Sequence, residues 1–388
     1  MIEVLRVLLF LSFGVPVLIF GLYGGITLYY GKLKKNRLEG TNERNEKLRF
    51  EPFVSVIVPS HNEEMIISKK IENLLGSSYP REKLEIIFVD DSCDSTPDII
   101  KEYSKRFPNI RLIGFHKRMG YSPSMVAGCK AAEGEIIVLS DAGSFLDVKA
   151  IPNLVAHFKN PNVGVVTGKD VILNVNEEVG KSEGLYQKIY NFLRTAENNM
   201  DSTFYIKGEA TAVRKDLIKD LEMCSETFDT VVGLVARKKG YKAVYDPDAK
   251  FYEYAPLTHS GRIKQKAIRA ANLIKVLFRH RHMMFRREYG KYGSIILPMN
   301  FAMLTIVPVS IFVGFILLTM LTFFDLGFSV VIWSILGVIF LFSLIFSRHL
   351  LLTFFEFEYS LLKALYQTLF TRTAHDKIEK VVSTRRYQ

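Results

Sequence analysis

The sequence predicts an α/β fold with a mostly parallel sheet, flanked by α-helical transmembrane and interfacial helices. Between residues 52 and 255, short apolar runs alternate with amphipathic stretches, and this alternation is typical of successive β-α-β units. Outside that region lie long apolar segments at residues 7–30, 295–323 and 328–346. Each is long enough to cross a bilayer as a helix. The chain therefore combines a globular α/β domain with helices suited to a membrane.

Five strands are predicted in the alternating region, and each is an apolar run that stops at a turn residue or an acid. They cover residues 53–59, 84–91, 110–114, 135–141 and 163–168. The amphipathic stretches between them are predicted as helices, at residues 65–75, 96–107, 122–132 and 148–158. Further on, apolar residues recur at helical spacing among lysines and arginines from residue 262 to 287. This pattern predicts a basic amphipathic helix that enters the second apolar span.

The chain divides into six predicted segments. These are an N-terminal transmembrane helix at 1–31, a polar linker at 32–51, the α/β domain at 52–261, the basic interfacial helix at 262–292, two transmembrane helices at 293–347, and an interfacial helix with a basic cytosolic tail at 348–388. The last helix is apolar but carries Glu356, Glu358 and Lys363, and a crossing there would put the basic tail outside the cell. We therefore predict that it is interfacial or re-entrant.

The formal net charge of +11 indicates an anionic partner, which is either a nucleic acid or a membrane surface. Basic clusters at 32–37 and 279–287 adjoin apolar spans, so we predict a lipid bilayer as the partner and no nucleic acid. The same bias predicts that residues 32–290 are cytoplasmic in a multi-pass protein of the cell membrane. A cleaved signal peptide is the alternative for the first span, but a basic cluster follows it where small residues would mark a cleavage site. The three cysteines lack disulfide or zinc spacing, which fits a reducing compartment.

Acidic residues stand where the predicted strands end. Asp90 and Asp91 close the second strand, and Asp141 closes the fourth. Because parallel strands bring their carboxyl ends to one ligand crevice, these acids are candidates for binding a nucleotide and a divalent cation. Asp229 opens a helical stretch further on, and a basic run at 262–269 follows it. The acids could hold a sugar nucleotide and a cation, and the bases could hold a pyrophosphate. This combination suggests glycosyl transfer. The alternative is that these acids only cap the N-termini of helices, where a negative charge is favourable.

Five motifs resemble, in the same order, those of family 2 glycosyltransferases. They are Pro59-Ser60-His61-Asn62-Glu63, similar to P-x-x-N-E; Val89-Asp90-Asp91-Ser92, similar to V-D-D-G/S; Ser140-Asp141-Ala142-Gly143-Ser144, similar to D-A-D-S; Thr227-Phe228-Asp229, similar to T-E-D; and residues 262–269, similar to Q-x-x-R-W. With the flanking helices, the chain resembles the membrane-embedded, cellulose-synthase-like branch and its small archaeal-type members that transfer lipid-linked sugars. The resemblance implies a GT-A-like fold for the α/β domain.

The resemblance also implies roles for individual residues. Nucleotide-sugar binding is implied for Pro59, Asn62, Glu63, Asp91 and Asp141; general-base catalysis for Asp229; and binding of the pyrophosphate or the acceptor for Arg262, Gln265, Lys266 and Arg269. A divalent cation, Mg²⁺ or Mn²⁺, is implied at Asp141. The chain departs from the family pattern at Gly143 and Phe228, each of which replaces an expected acid. His259 is a candidate to complete the metal site, and Glu226 is an alternative general base.

These features predict a membrane-bound, metal-dependent, inverting hexosyltransferase. The resemblance implies a nucleotide-sugar donor, with GDP-mannose as the specific expectation, and a lipid-linked acceptor in glycan assembly. A processive polysaccharide synthase is one alternative. Against it, the tryptophan of Q-x-x-R-W is missing, and the single tryptophan of the chain, Trp333, lies in an apolar span. A non-catalytic, nucleotide-binding membrane regulator is the other alternative, because Gly143 and Phe228 replace acids.

Overall fold

The computed structural model describes residues 1–32, 50–219 and 228–370. The strands are β1 (Val54–Ser60), β2 (Leu84–Asp90), β3 (Ile110–Gly114), β4 (Ile136–Leu139), β5 (Phe145–Leu146), β6 (Val163–Ile172), β7 (Thr211–Arg214) and β8 (Lys242–Glu253). They form one sheet in the order β3-β2-β1-β4-β7-β6-β8-β5.

The helices of the domain are α2 (Ile67–Leu75), α3 (Thr96–Arg106), α4 (Tyr121–Ala131), α5 (Ala150–Ala156), α6 (Glu178–Met200), α7 (Lys215–Ile218), α8 (Phe228–Lys238) and α9 (His259–Arg279). Helix α1 (Ile2–Lys32) precedes the domain. Helices α10 (Tyr292–Phe324) and α11 (Leu326–Phe370) follow it. A short 3₁₀ turn, Gly208–Ala210, leads into β7.

The sheet is mixed, and the four strands at its β3 end are parallel to one another. Strands β3, β2, β1 and β4 pair in parallel, whereas β7 runs antiparallel to both β4 and β6. Strand β8 pairs with β6 in parallel. The predicted α/β class with a mostly parallel sheet is therefore confirmed. The sequence did not predict β5, β7 and β8, because the first two are too short to display a period and β8 is interrupted by polar residues.

Helices cover both faces of the central strands, which explains why the predicted strands read as continuous apolar runs. Every residue of β2 is buried. Helix α2 packs on one face, and α4 and α8 pack on the other. The core on the second face continues through Ile274 of α9 to Leu297 of α10 and Leu361 of α11. The sheet and the C-terminal helices therefore share one hydrophobic core.

Among the described residues, α1, α10 and α11 are long and apolar enough to cross a membrane, judged by length and composition. Helix α11 changes direction at Ser347, whose φ of −158° and ψ of 57° are not helical. Beyond this kink, the helix lies against α9, where the Ser360 hydroxyl donates to the Ile263 carbonyl at 3.4 Å. The predicted interfacial segment begins at the residue after the kink, and its depth in the membrane stays a prediction. The basic tail and most of the predicted linker lie outside the described residues.

A buried carboxylate joins two of the membrane-type helices to the domain. Glu197, on α6, is 3% exposed. Its Oε1 accepts hydrogen bonds from the Tyr23 hydroxyl at 2.6 Å and from Nδ2 of Asn300 at 2.8 Å. Its Oε2 accepts from the backbone N–H of Phe204 at 2.9 Å. One side chain thus connects α1, α6 and α10.

We expect Glu197→Leu to destabilise the protein by about 2 kcal/mol, because it removes the carboxylate that accepts from the Tyr23 hydroxyl and the Phe204 N–H, while Asn300 keeps its bond to the Ile296 carbonyl. The control is Glu178→Leu on the same helix, whose carboxylate is 59% exposed and pairs with an equally exposed Arg348. Thermal unfolding in detergent micelles measures the effect. Equal melting temperatures for the two variants would contradict the structural role of Glu197.

Candidate active site

A cavity of about 610 Å³ lies between the sheet, α6 and α9. Five of the residues predicted from the sequence line it: Asp141, Asp229, Gln265, Lys266 and Arg269. They come from three distant stretches of the chain, namely the turn after β4, the first turn of α8, and one side of α9. The fold thus brings the predicted acids and the predicted bases to one place.

Asp141 presents an uncompensated oxygen to this cavity. Its Oδ1 atom is buried and has no hydrogen-bond partner among the described residues. Burial, followed by the negative charge of Glu209, raises the pKa of Asp141 to about 7. A hydrogen bond from Tyr121 acts in the opposite direction. A carboxylate oxygen in this state favours a cationic ligand.

A buried lysine forms hydrogen bonds to the turn that carries Asp141. Lys70, on α2, is fully buried. Its Nζ donates to the Ser140 hydroxyl at 2.8 Å and to the Ser144 carbonyl at 2.6 Å. Burial lowers the pKa of Lys70 to about 7, while the charge of Asp141 acts to raise it. Lys70 therefore holds both sides of the turn from the protein interior.

Glu209 is a further acid of the cavity, and the sequence analysis missed it. It lies in the 3₁₀ turn before β7, is 6% exposed, and accepts a hydrogen bond from Nη2 of Arg269 at 3.2 Å. Burial acts to raise the pKa of Glu209, but Lys207 and Arg269 outweigh it and lower that pKa. The sequence feature that could have identified Glu209 is its position, with Lys207, in an otherwise largely apolar stretch.

Asp229 lies in the first turn of α8, with both carboxylate oxygens anchored by backbone N–H groups. Its Oδ2 accepts from Gly208 at 3.0 Å, and its Oδ1 accepts from Thr230 at 2.8 Å. Burial, then the charge of Glu209, raises the pKa of Asp229 to about 6 in spite of these bonds. A carboxylate with a pKa near neutrality suits general-base catalysis. The alternative base, Glu226, lies outside the described residues.

Of the five residues predicted to bind the nucleotide sugar, Asp141 lines the cavity and the other four do not. These four are Pro59, Asn62, Glu63 and Asp91. The Asp91 carboxylate contacts Nδ1 of His61 at 2.8 Å and accepts from the backbone N–H of Met119 at 2.6 Å. Asn62 has a φ of 55° and accepts from the Cys93 N–H at 3.0 Å. The loops after β1 and β2 are therefore tied together next to Met119, which lines the cavity.

Two predicted site residues lie elsewhere. Arg262 is fully buried and pairs with Glu183, at 2.7 Å from Nε to Oε2, and with Glu356. Its charge is already balanced, which favours a scaffolding role over the predicted phosphate contact. His259 directs Nδ1 at the Glu356 carboxylate and does not line the cavity. The described part of the chain holds no cluster of three or more histidine, cysteine or acidic side chains arranged for a metal ion.

The cavity is also lined by a group of aromatic and amide side chains that the sequence analysis did not single out. These are Tyr186, Gln187 and Tyr190 on α6, Tyr205 before the 3₁₀ turn, and Phe357 on α11. Helix α6 was itself not predicted, because its polar residues are buried against α9 and α11 and obscure the apolar period. Burial of charged groups in ion pairs is not visible in a periodic pattern.

A protein-family model described as glycosyl transferase family 2 matches residues 55–222. This segment belongs to glycosyltransferase family 2. Among curated proteins, a poly-beta-1,6-N-acetyl-D-glucosamine synthase from Staphylococcus epidermidis is 26% identical over 269 residues, which are 67% of this chain and 64% of that protein. The chain spans between 56% and 64% of the length of the first curated relatives that it matches.

Another curated relative comes from Methanococcus voltae. The dolichyl N-acetyl-alpha-D-glucosaminyl phosphate 3-beta-D-2,3-diacetamido-2,3-dideoxy-beta-D-glucuronosyltransferase of Methanococcus voltae is 27% identical over 234 residues, covering 55% of this chain and 70% of that protein. Among solved structures, a mannosyltransferase from Pyrobaculum calidifontis in complex with GDP-Man and Mn²⁺ aligns with a TM-score of 0.77. That alignment covers 96% of this chain and 100% of the other at 21% identity, so it demonstrates a shared fold. The predicted GT-A-like fold is thereby confirmed.

We expect Lys70→Met to loosen the turn at residues 140–144, because both hydrogen bonds from Nζ are lost. The amides of this turn should exchange hydrogen at least ~10-fold faster, since each of the two lost hydrogen bonds contributes about 1 kcal/mol. Hydrogen exchange followed by mass spectrometry measures this. The matched control is Lys69→Met, since Lys69 is the exposed neighbour on the same helix. Unchanged exchange in Lys70→Met would contradict the role of Lys70.

Proposed function

We propose that the protein transfers a hexose from a nucleotide-diphosphate sugar to a lipid-linked acceptor, with inversion at the anomeric carbon. The observation that carries this proposal is the convergence of Asp141, Asp229 and Arg269 in one cavity of a family 2 domain. GDP-mannose is the donor we favour, because the structural neighbour that matches along its whole length was solved with GDP-Man and Mn²⁺.

The cavity fits a divalent cation held by a single protein carboxylate. Asp141 offers one buried oxygen with no partner among the described residues, and diphosphate oxygens and water would supply the other ligands, as is common for Mg²⁺. When bound, Mg²⁺ or Mn²⁺ would neutralise charge that develops on the leaving diphosphate. Neither Gly143 nor His259 is needed as a ligand in this arrangement.

The bases on α9 would bind the diphosphate. Gln265 and Arg269 are one helical turn apart and both line the cavity. Lys266 lies between them in sequence, but its ammonium is paired with Glu183, so the diphosphate contacts fall to the other two. The guanidinium of Arg269 can donate to phosphate oxygens while it remains paired with Glu209. A donor held in this way would direct its anomeric carbon towards the acidic side of the cavity.

Asp229 would take the proton from the attacking hydroxyl. Its backbone hydrogen bonds orient the carboxylate, and its raised pKa makes it a stronger base than an exposed aspartate. Proton transfer of this type contributes ~10²–10⁴-fold in rate. Attack from the face opposite the diphosphate would invert the anomeric configuration.

A lipid-linked acceptor is supported by the surroundings of the cavity. Leu304 of α10 and Phe357 of α11 line it, so membrane-type helices form one of its walls. The Methanococcus voltae relative is named for a dolichyl-linked substrate. We propose that the protein is a multi-pass protein of the cell membrane, with this cavity on the cytoplasmic side, as the lysine and arginine bias predicts.

The proposal is tested with a panel of UDP- and GDP-sugars and Mn²⁺, comparing the native protein with Asp141→Asn and Asp229→Asn. We expect one donor to be turned over, and both substitutions to lower kcat ~10²-fold or more. Asp98→Asn is the control, since the Asp98 side chain is 78% exposed on the surface. Nucleotide binding without turnover in the native protein would favour the non-catalytic regulator. A product that lengthens with time would favour a processive synthase.

The raised pKa of Asp229 also predicts a pH dependence. Only the deprotonated carboxylate can accept a proton, so kcat/KM should rise with pH up to about 6 and then level off. Below that value it should fall about tenfold per pH unit. The profile is measured at saturating Mn²⁺ at each pH, so that loss of metal does not imitate protonation of the base. A rate that does not change between pH 5 and 7 would exclude Asp229 as the base.

A further inference from the structure

We propose that the α6 side of the cavity is a binding site for a sugar unit of the acceptor. The acceptor would therefore be a glycosylated lipid that presents a sugar hydroxyl, and not a bare polyprenyl phosphate. This inference rests on the proposed function, since it names the substrate class for the same cavity. Three observations carry it: an unpaired amide oxygen, a wall of aromatic rings, and the balance of charge around them.

Gln187 lines the cavity and carries an unsatisfied hydrogen-bond acceptor. The residue is 4% exposed. Its Nε2 donates to Oε1 of Glu183 at 2.9 Å, and only the amide nitrogen can make that bond to a carboxylate. The orientation of the amide is thereby fixed, and Oε1 is left buried with no partner among the described residues. A buried carbonyl without a donor is unfavourable, so this oxygen is suited to a ligand hydroxyl.

Aromatic rings form a continuous wall beside Gln187. The ring centroids are 4.4 Å apart for Tyr186 and Tyr190, 5.2 Å for Tyr190 and Tyr205, and 5.8 Å for Tyr186 and Phe357. All four side chains line the cavity and are only partly buried. The apolar C–H face of a sugar ring packs on such rings, while its hydroxyls need polar groups at the edge. Because the Lys266 ammonium covers the Tyr186 ring, we expect the sugar to pack on Tyr190, Tyr205 or Phe357. Gln187 supplies a polar group at that position.

The charges on this side of the cavity are already balanced, which favours a neutral sugar over a phosphate. Lys266 pairs with Glu183 at 3.2 Å, and its ammonium lies 3.0 Å from the centroid of the Tyr186 ring. Lys207 pairs with Asp170 at 3.1 Å. A phosphate bound here would have to compete with a buried carboxylate for each of these lysines. A sugar needs neither of them.

The test uses the donor that the protein turns over and three acceptor probes: octyl mannoside, octyl glucoside and farnesyl phosphate. We expect transfer to at least one octyl glycoside and none to farnesyl phosphate. Gln187→Leu should raise the acceptor KM ~10-fold, as expected for one buried hydrogen bond, and leave the donor KM unchanged. Mass spectrometry of the products and initial rates provide the readouts.

A second pair of variants tests the aromatic wall in case Gln187→Leu disturbs folding. Tyr190→Phe keeps the ring and should behave like the native protein, whereas Tyr190→Leu should raise the acceptor KM. The exposed Ile189→Ala, the next residue on the same helix, is the control for general damage to α6. Equal acceptor KM values for Tyr190→Phe and Tyr190→Leu would contradict the sugar site.

Failure of this inference can be told from failure of the proposed function. Hydrolysis of the donor without acceptor, lost in Asp141→Asn, reports on the donor site alone. If that hydrolysis is present and farnesyl phosphate is the acceptor used, with native KM values in Gln187→Leu and Tyr190→Leu, the sugar site is overturned and the glycosyltransferase stands. If no donor is hydrolysed or transferred at all, the proposed function and the inference built on it both fail.

Discussion

The site depends on three carboxylates, Asp141, Glu209 and Asp229, that line one cavity and interact electrostatically. Burial, and after it the charge of Glu209, raises the pKa of both Asp141 and Asp229. Among the described residues, Arg269 forms the direct ion pair with this group, at 3.2 Å from Glu209. Such an arrangement is unfavourable by itself, and the fold maintains it with hydrogen bonds from Lys70 and from the backbone at Asp229. A bound cation would relieve this repulsion, which is why we propose that the cavity takes a metal together with a diphosphate.

Helix α9 links this acidic group to the helices suited to a membrane. It presents Arg269 to the cavity, while Arg262, two turns earlier, is buried between Glu183 of α6 and Glu356 of α11. The apolar side of α9 packs into the core shared with α10 and α11. The orientation of the domain relative to these helices is therefore fixed by packing and by buried ion pairs. This arrangement places the cavity against Leu304 of α10 and Phe357 of α11.

The sequence was most informative where a residue's role depends on its position in the chain. Asp141 follows a buried strand and Asp229 begins a helix, and these positions, with the family resemblance, made both candidates; the structure places both in the lining of one cavity, and their roles stay predictions. Arg262 was predicted to contact the ligand because it shares a helix face with Arg269. The sequence pattern could not show that Glu183 and Glu356 already neutralise its charge. Glu209 was missed because its partner, Arg269, is far away in the sequence. Gln187 was missed because its amide oxygen lacks a partner among the described residues. A periodic sequence pattern shows neither of these features.

The central claim, that Asp141 completes a cation site only together with a nucleoside diphosphate, is tested most directly by Mn²⁺ binding. Electron paramagnetic resonance of Mn²⁺ with native protein and with Asp141→Asn, each in the absence and presence of GDP or UDP, gives the bound fraction. We predict weak Mn²⁺ binding without nucleotide, tight binding when the diphosphate is added, and loss of at least ~10-fold in affinity in Asp141→Asn. Equal Mn²⁺ affinity in the native protein and in Asp141→Asn, with the nucleotide present, would contradict the account.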